Sequence, residues 1–334
     1  MKKIAVLGAG TWGCALAKIF SSAGHDVTVW SAIEDEIVFL SSVRMHKNLP
    51  GMTFPCELKF SYDLEAALSG ADYVIFAVPS PFVRQVAKQA SPFLEKEQVL
   101  VDVAKGIEPV TLMMLSDVIK SECGKDKTVV VLSGPTHAEE VALDLPTTIV
   151  SACKDMDAAS AVADLFDGTC IRAYTNPDIC GVELCGALKN IVALAAGASD
   201  GLGYGDNIKV AIITRGIAEI QRLGIAMGCD PQTFGGLAGI GDLIVTATSR
   251  HSRNNRAGYL LGKGYSADEA KKEIGMVVEG INALPAAISL SEKYGVELPI
   301  ISAVNEVVNN KMSAADMTAR LMGRERKSEI NFKL

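Results

Sequence analysis

A chain of 334 residues with 49% hydrophobic and 21% charged side chains has the balance of a globular protein of about two domains, which excludes disorder or low complexity as a description of the whole. Its 32 Lys and Arg against 39 Asp and Glu leave a net charge of −7, which excludes a basic face for coating nucleic acid but leaves room for a local cationic site on a small phosphorylated ligand. A membrane span is not expected, because the longest run free of Asp, Glu, Lys and Arg, Ile4–Ala17, holds 14 residues and three glycines where about 20 apolar residues are needed.

The first half alternates strands with helices. Lys2–Leu7 is a short run of strand formers; Lys2 and Lys3 give it a superficial likeness to a leader peptide, but no cleavage region follows. Glycines come next, then a helix through Ser22. Val27–Trp30 predicts a second strand, Glu34–Val43 a helix and Leu58–Tyr62 a third strand. Asp63 is a good cap for a helix over Leu64–Ser69. Tyr73–Val78 is almost continuously apolar, as a strand covered on both faces must be. Val83–Ala90 predicts a helix; Val99–Val103, Thr128–Leu132, Thr147–Ser151 and Ile171–Tyr174 predict strands; Thr111–Glu122 and Ala158–Phe166 predict helices. Alternation of this kind implies parallel pairing through right-handed crossovers, hence a doubly wound (Rossmann-type), mostly parallel sheet.

After Asn176-Pro177 the alternation stops. Asp178–Ala196, Ile208–Leu223, Ala267–Ile274, Val277–Tyr294 and Ile301–Val308 suit helices, and the β-branched Leu243–Thr248 is read as helical too. The expected division is a dinucleotide-binding α/β domain, 1–177, and an all-α substrate-binding and catalytic domain, 178–334. The eight cysteines form no C-x-x-C pair, which points to a reducing, cytosolic compartment. The four histidines have no metal-ligand spacing, so no metal is expected.

Residues 8–13 read GAGTWG directly after the first strand and open a helix. In that context Gly8 permits the tight turn, Gly10 lets the backbone approach a diphosphate, and Gly13 lets helix and strand pack closely, while the helix N-terminus offers free N–H groups to the anion. The second strand ends at Trp30-Ser31-Ala32, with neither an acid for ribose hydroxyls nor a base for a 2′-phosphate at that point; Glu34 and Asp35 lie just beyond. NAD and NADP both stay open as the cofactor.

Four further segments carry candidate chemistry. In VDVAKG, Lys105 follows a strand's carboxyl end, where the ligand crevice of such a sheet lies; a solvated loop lysine would read the same. In SGPTHA, Gly134 permits close backbone approach and Thr136 offers a hydroxyl, although an ordinary turn is equally consistent. In GVELCGALKNIVA, Lys189 lies on an apolar helix with Glu183 and Asn190 as its nearby polar neighbours, so it either snorkels to water or is held in a cleft, where desolvation would lower its pKa. RHSRNNR, 250–256, puts three arginines with Ser252, Asn254 and Asn255 in a short polar loop suited to one phosphate, or merely to solvent. Asp242, in GLAGIGDL, caps a helix or orients a cation.

Together these segments resemble one family, the bacterial-type NAD(P)-dependent glycerol-3-phosphate dehydrogenases. The resemblance runs from GAGTWG to VVEG at 277–280 and rests on the order and separation of GAGTWG, AKG (104–106), SGPTHAEE (133–140), ELCGALKN (183–190), GIGDL (239–243) and RHSRNN (250–255). It implies that Gly8, Gly10, Thr11, Trp12, Gly13, Lys105, Ala138, Arg253, Val277 and Glu279 contact the cofactor. It further implies that Lys105, Gly134, Thr136, Lys189, Asn190, Asp242, Ser252, Arg253 and Asn254 form the substrate site, with Lys189 the proton acceptor in alcohol oxidation and Asn190 positioning it. It also implies a cytoplasmic homodimer supplying glycerol 3-phosphate for phospholipid synthesis. Ala32 stands where many relatives carry Arg or His, His137 where Phe is usual and Asp144 where Gly is usual.

The expected reaction is reversible hydride transfer between NAD(P)H and dihydroxyacetone phosphate. A 6-phosphogluconate or 3-hydroxy-acid dehydrogenase of the same plan also uses a helix-borne lysine, but its flanking motifs differ. A non-catalytic dinucleotide sensor explains GAGTWG and leaves Lys189, Asp242 and the arginine segment without a purpose.

Overall fold

A computed structural model describes residues 1–325 and Ser328. Its strands are β1 (Lys3–Leu7), β2 (Asp26–Trp30), β3 (Lys59–Ser61), β4 (Tyr73–Phe76), β5 (Val99–Asp102), β6 (Val129–Ser133), β7 (Thr147–Ala152) and β8 (Ile171–Asn176). The helices among and after them are α1 (Thr11–Ser22), α2 (Glu34–Val43), α3 (Leu64–Leu68), α4 (Val83–Ala90), α5 (Leu115–Cys123), α6 (Ala138–Ala142), α7 (Met156–Ala163), α8 (Ile179–Gly201), α9 (Asp206–Ala226), α10 (Pro231–Phe234), α11 (Asp242–Thr248), α12 (Arg253–Gly262), α13 (Ala267–Ile274), α14 (Glu279–Tyr294), α15 (Pro299–Val308) and α16 (Ala314–Met322).

The strands form one sheet in the order β3-β2-β1-β4-β5-β6-β7-β8. Strand order reverses between β1 and β4, which both continue parallel, so the crevice at their carboxyl ends is the natural ligand site. β4 and β6 are buried at every position because helices cover both faces.

The sheet is mostly parallel, as expected; the exception, which the alternation of elements does not mark, is β7, antiparallel to β6. The reason lies in the connection. Its helix, α6, has five residues and so rises only about 7–8 Å, too little to carry the chain back along the sheet, and β7 therefore returns in the opposite direction.

Two expectations need correction. The helix expected over 111–122 begins at Leu115, because Leu112 adopts φ +59° and Ile107 bridges Met114. The arginine segment is not a loop: Ser252 caps α12 by accepting from Asn255 N at 3.1 Å, and Arg253 is the helix's first residue. Its polar start hid an inward face carried by Ala257, Gly258 and Leu261. The Gly-to-Asp departure at 144 has a backbone reason, since Asp144 sits at φ +57°, where Asp is among the better-tolerated residues, and it also pairs with Lys18.

The helical half is built around α8. This helix is long and apolar enough to cross a membrane, yet it is enclosed by α9, α11, α12 and α14. Its contact with α12 is backbone on backbone. Gly197 and Gly201 on α8 face Gly258 and Gly262 on α12, four residues apart on each helix. A Cβ on Gly258 would lie 2.1 Å from the Leu194 carbonyl oxygen, and one on Gly197 would lie 2.0 Å from that of Asn255. Small residues at this spacing let two helices approach until their backbones touch. Gly258→Ala is therefore expected to force the helices apart and destabilise the fold by about 3 kcal/mol, the upper range for overpacking a core. Denaturant unfolding checks this; a change below about 1 kcal/mol would mean the helices can part at little cost.

Candidate active site

The glycine turn at the β1 carboxyl end has the shape a dinucleotide diphosphate needs. Gly8 adopts φ +122°, and a Cβ there would lie 2.8 Å from the Ala77 carbonyl carbon, at the end of β4. A Cβ on Gly13 would fall 2.2 Å from the Gly8 oxygen. Gly10 faces open space instead, with no atom within 4 Å of its Cβ position. No acidic side chain occupies the first turn of α1 and no side chain caps it, so the N–H groups of Thr11, Trp12 and Gly13 point to an anion. The residues present therefore fit the diphosphate of a nicotinamide dinucleotide.

At the same sheet edge, three elements meet on one carboxylate. Asp242, buried at the start of α11, accepts from Lys189 Nζ at 2.5 Å through Oδ1 and from Lys105 Nζ at 2.8 Å through Oδ2. Lys189 also donates to Thr246 Oγ1 at 2.6 Å, and Lys105 to the Gly134 carbonyl at 3.1 Å. Local structure explains each placement. The glycine run before Asp242 forms a wide turn, 237–241, in which a Cβ on Gly239 would strike the Phe234 carbonyl at 2.2 Å. Gly186 on α8 lets the helix settle on the end of β6 and the Lys105 side chain, since a Cβ there would already lie 3.2 Å from Ser133 Oγ.

The charge balance decides what Lys189 can do. Burial disfavours its ammonium, Asp242 opposes that effect, Lys105 adds to it, and the outcome is a pKa lowered to about 7. Burial alone would raise Asp242; the two ammonium groups overcome it and hold the carboxyl below its usual range. One anion shared by two cations leaves the more deeply buried cation able to lose its proton near neutrality. His137 lies at the rim, its Nε2 3.4 Å from the Val245 carbonyl and its ring 6.1 Å from that of His251. Burial first, then the charge of Lys189, lowers its pKa.

Behind Lys105 lies an acid pair. Glu183 accepts from Ser116 N at 2.8 Å and Ser116 Oγ at 2.6 Å, and burial pushes it up to about 7. Asp102 is raised by burial and then by Glu183.

The α12 end completes the site. Asn254, buried, donates to Asn190 Oδ1 at 2.9 Å and accepts from Gly280 N at 2.9 Å. The residues next in sequence to Lys189 and Arg253 are thus hydrogen-bonded to each other. Asn190 also donates to the Gly186 carbonyl, and no hydrogen bond joins it to Lys189 among the described residues. Thr246 makes that contact instead, a residue sequence reasoning missed although it lies one turn after Asp242 on the same helix. Arg253 is half-buried, and its guanidinium forms no hydrogen bond or ion pair among the described residues, although its charge is felt at Glu279. Glu279 in turn accepts from Ser80 N at 3.3 Å and Ser80 Oγ at 2.8 Å, another partner with no sequence signal. A cleft of about 150 Å³ opens beside this contact, lined by Ser80, Gly106, Glu279 and Asn282 among others. Thr136 donates to the Gly134 carbonyl at 3.1 Å, and Val277 and Ala138 lie within two residues of Glu279 and Thr136.

Residues 3–159 match the family described as the NAD-dependent glycerol-3-phosphate dehydrogenase N-terminus, and residues 178–319 match its C-terminus. The chain belongs to this family. It is 59% identical over 335 residues to "glycerol-3-phosphate dehydrogenase [NAD(P)+] 2" of Lactobacillus delbrueckii subsp. bulgaricus, with 99% of both chains covered. It is 50% identical over 333 residues to the Bacillus subtilis glycerol-3-phosphate dehydrogenase [NAD(P)+], covering 99% of this chain and 96% of the relative. Its structure is similar to the crystal structure of glycerol-3-phosphate dehydrogenase from Coxiella burnetii, with TM-score 0.92, 35% identity, and 97% and 99% of the two chains covered.

The charge balance generates a prediction for this family's reaction. An amine that must accept a proton is useless once protonated, so kcat/KM for glycerol 3-phosphate oxidation is expected to fall as pH drops through about 7. Asp242→Asn removes the opposing carboxylate and keeps both cations, so the inflection is expected at lower pH, with reduced activity. A pH–rate profile of both proteins checks this; an inflection displaced upward would contradict the electrostatic account.

Proposed function

We propose that this chain catalyses reversible oxidation of sn-glycerol 3-phosphate to dihydroxyacetone phosphate with NAD(P)+ as the hydride acceptor. The observation that carries the reading is the shared carboxylate: Lys189 and Lys105 on Asp242, at the carboxyl edge of the sheet. A bound nicotinamide dinucleotide supplies or takes up the hydride at substrate C2. In oxidation, neutral Lys189 accepts the C2 hydroxyl proton. In reduction, its ammonium stabilises charge growing on the carbonyl oxygen and donates the proton.

The remaining groups bind and orient. Lys105 adds positive potential at the reacting oxygen. Arg253, unpaired by hydrogen bond or ion pair within the described chain, and the N–H groups opening α12 suit the substrate phosphate, with Ser252 and Asn254 fixing that helix end. Holding the phosphate there sets C2 against Lys189, because α8 and α12 touch backbone to backbone. In this reading the division at Pro177 separates nucleotide binding from substrate binding, and the protein works as a cytoplasmic homodimer feeding phospholipid synthesis; those last features rest on the family resemblance. A nucleotide sensor without catalysis would have no use for an amine held near pKa 7.

Lys189→Ala is expected to lower kcat by about 10³-fold or more, the upper range for losing a positioned proton-transfer group, while NADH binding followed by tryptophan fluorescence stays near wild type. Turnover of dihydroxyacetone phosphate at close to the wild-type rate would contradict the assignment.

A further inference from the structure

The end of β2 carries neither the acid nor the base that sorts NAD from NADP in this kind of fold. The structure supplies an acid from further along. Glu36, in the first turn of α2, reaches back so that its Oε2 accepts from Ser31 Oγ at 2.7 Å. Ser31 is buried at the β2 carboxyl end, and its hydroxyl also accepts from Ile33 N at 3.2 Å. The serine thus ties the strand end to the helix start and fixes the glutamate between them. Oε1 of Glu36 has no partner among the described residues.

The surroundings place this carboxylate beside the glycine turn. Cys14 lies on α1 and its thiol bonds the Ala9 carbonyl at 3.2 Å; burial, then the charge of Glu36, pushes that thiol up to about 12. His46, buried, accepts from Asn48 N at 3.1 Å through Nδ1 and also feels Glu36. The groove between β2 and the glycine turn is where the adenosine half of a dinucleotide lies in a doubly wound sheet.

Of the basic side chains near Glu36 among the described residues, His46 and Arg44 are not free to offset it, whereas Lys47 is. Burial lowers the pKa of His46, which favours its neutral form. Arg44 donates to the carbonyls of Leu58 and Pro55 and lies over the Phe60 ring. Position 32 is Ala, exposed. Lys47 is exposed and its charge is felt at His46.

We infer that Glu36, positioned by Ser31, is the cofactor-selecting residue of this chain: its free oxygen accepts from an adenosine ribose hydroxyl, and its charge repels a 2′-phosphate, so the protein prefers NAD(H) to NADP(H). The inference rests on the dehydrogenase reading for its biological meaning, but the binding preference is measurable without catalysis.

Calorimetric titration with ADP-ribose and with 2′-phospho-ADP-ribose reads it directly. The wild type is expected to bind ADP-ribose about tenfold or more tightly than its 2′-phosphate, the factor equivalent to about 1.4 kcal/mol. Glu36→Gln keeps an oxygen for Ser31 but loses the charge, and is expected to shrink that ratio several-fold, mainly by improving the phosphorylated ligand. Ser31→Ala, which frees the glutamate, is expected to move the ratio the same way by less, and Ala32→Arg to reverse the preference. Comparable binding of the two ligands by the wild type, an unchanged ratio in Glu36→Gln, or a ratio governed by Lys47→Ala instead would each overturn the inference. Failure to reduce dihydroxyacetone phosphate with either nucleotide, with the binding ratio intact, would overturn the dehydrogenase reading and not this one.

Discussion

Asp242 is the point on which the site turns. It is fully enclosed, and a lone carboxylate there would be costly to ionise. Two ammonium groups make it stable as an anion, one from the loop after β5 and one from the middle of α8. The Lys189 ammonium is nevertheless disfavoured, first by its own burial and then by the charge of Lys105, and Asp242 offsets the two only in part. Proton exchange near neutrality follows from that imbalance and needs no special property of lysine.

The imbalance persists only if the packing around it is rigid. Thr246 gives Lys189 a second hydrogen bond, and Gly186 brings α8 against β6 and Lys105. Further along α8, glycines let α12 approach until backbones touch, which brings Asn254 onto Asn190 and Arg253 beside the site. Each of these contacts joins segments far apart in the chain. Catalysis, in this account, is a consequence of close helix packing on a sheet edge: the glycines that carry no chemistry set the distances between the groups that do.

Much of this was legible in the residues. The apolar runs of β1, β4 and β6 and the GAGTWG turn specify a doubly wound sheet by local rules, and the turn's geometry matches the roles assigned to Gly8 and Gly13. What escaped depends on length or on contacts between distant segments. The antiparallel β7 follows from a helix too short to return the chain, a quantity hard to judge from composition. The helix at Arg253 was hidden because its first turn is polar and its buried face is small. Nothing in the sequence sets Glu36 apart from Glu34 and Asp35 in the same helical turn; only its return to Ser31 distinguishes it. Lys189 was marked by its unusual place on an apolar helix, but its partners, Asp242 and Thr246, lie more than fifty residues away.

The central claim concerns the proton on Lys189. Nitrogen NMR of protein labelled at lysine Nζ, with the resonance assigned by comparison with Lys189→Met, follows that proton directly as pH is varied. The expected result is one lysine nitrogen that changes from ammonium to amine near pH 7. A Lys189 signal that stays ammonium up to pH 9 would contradict the account.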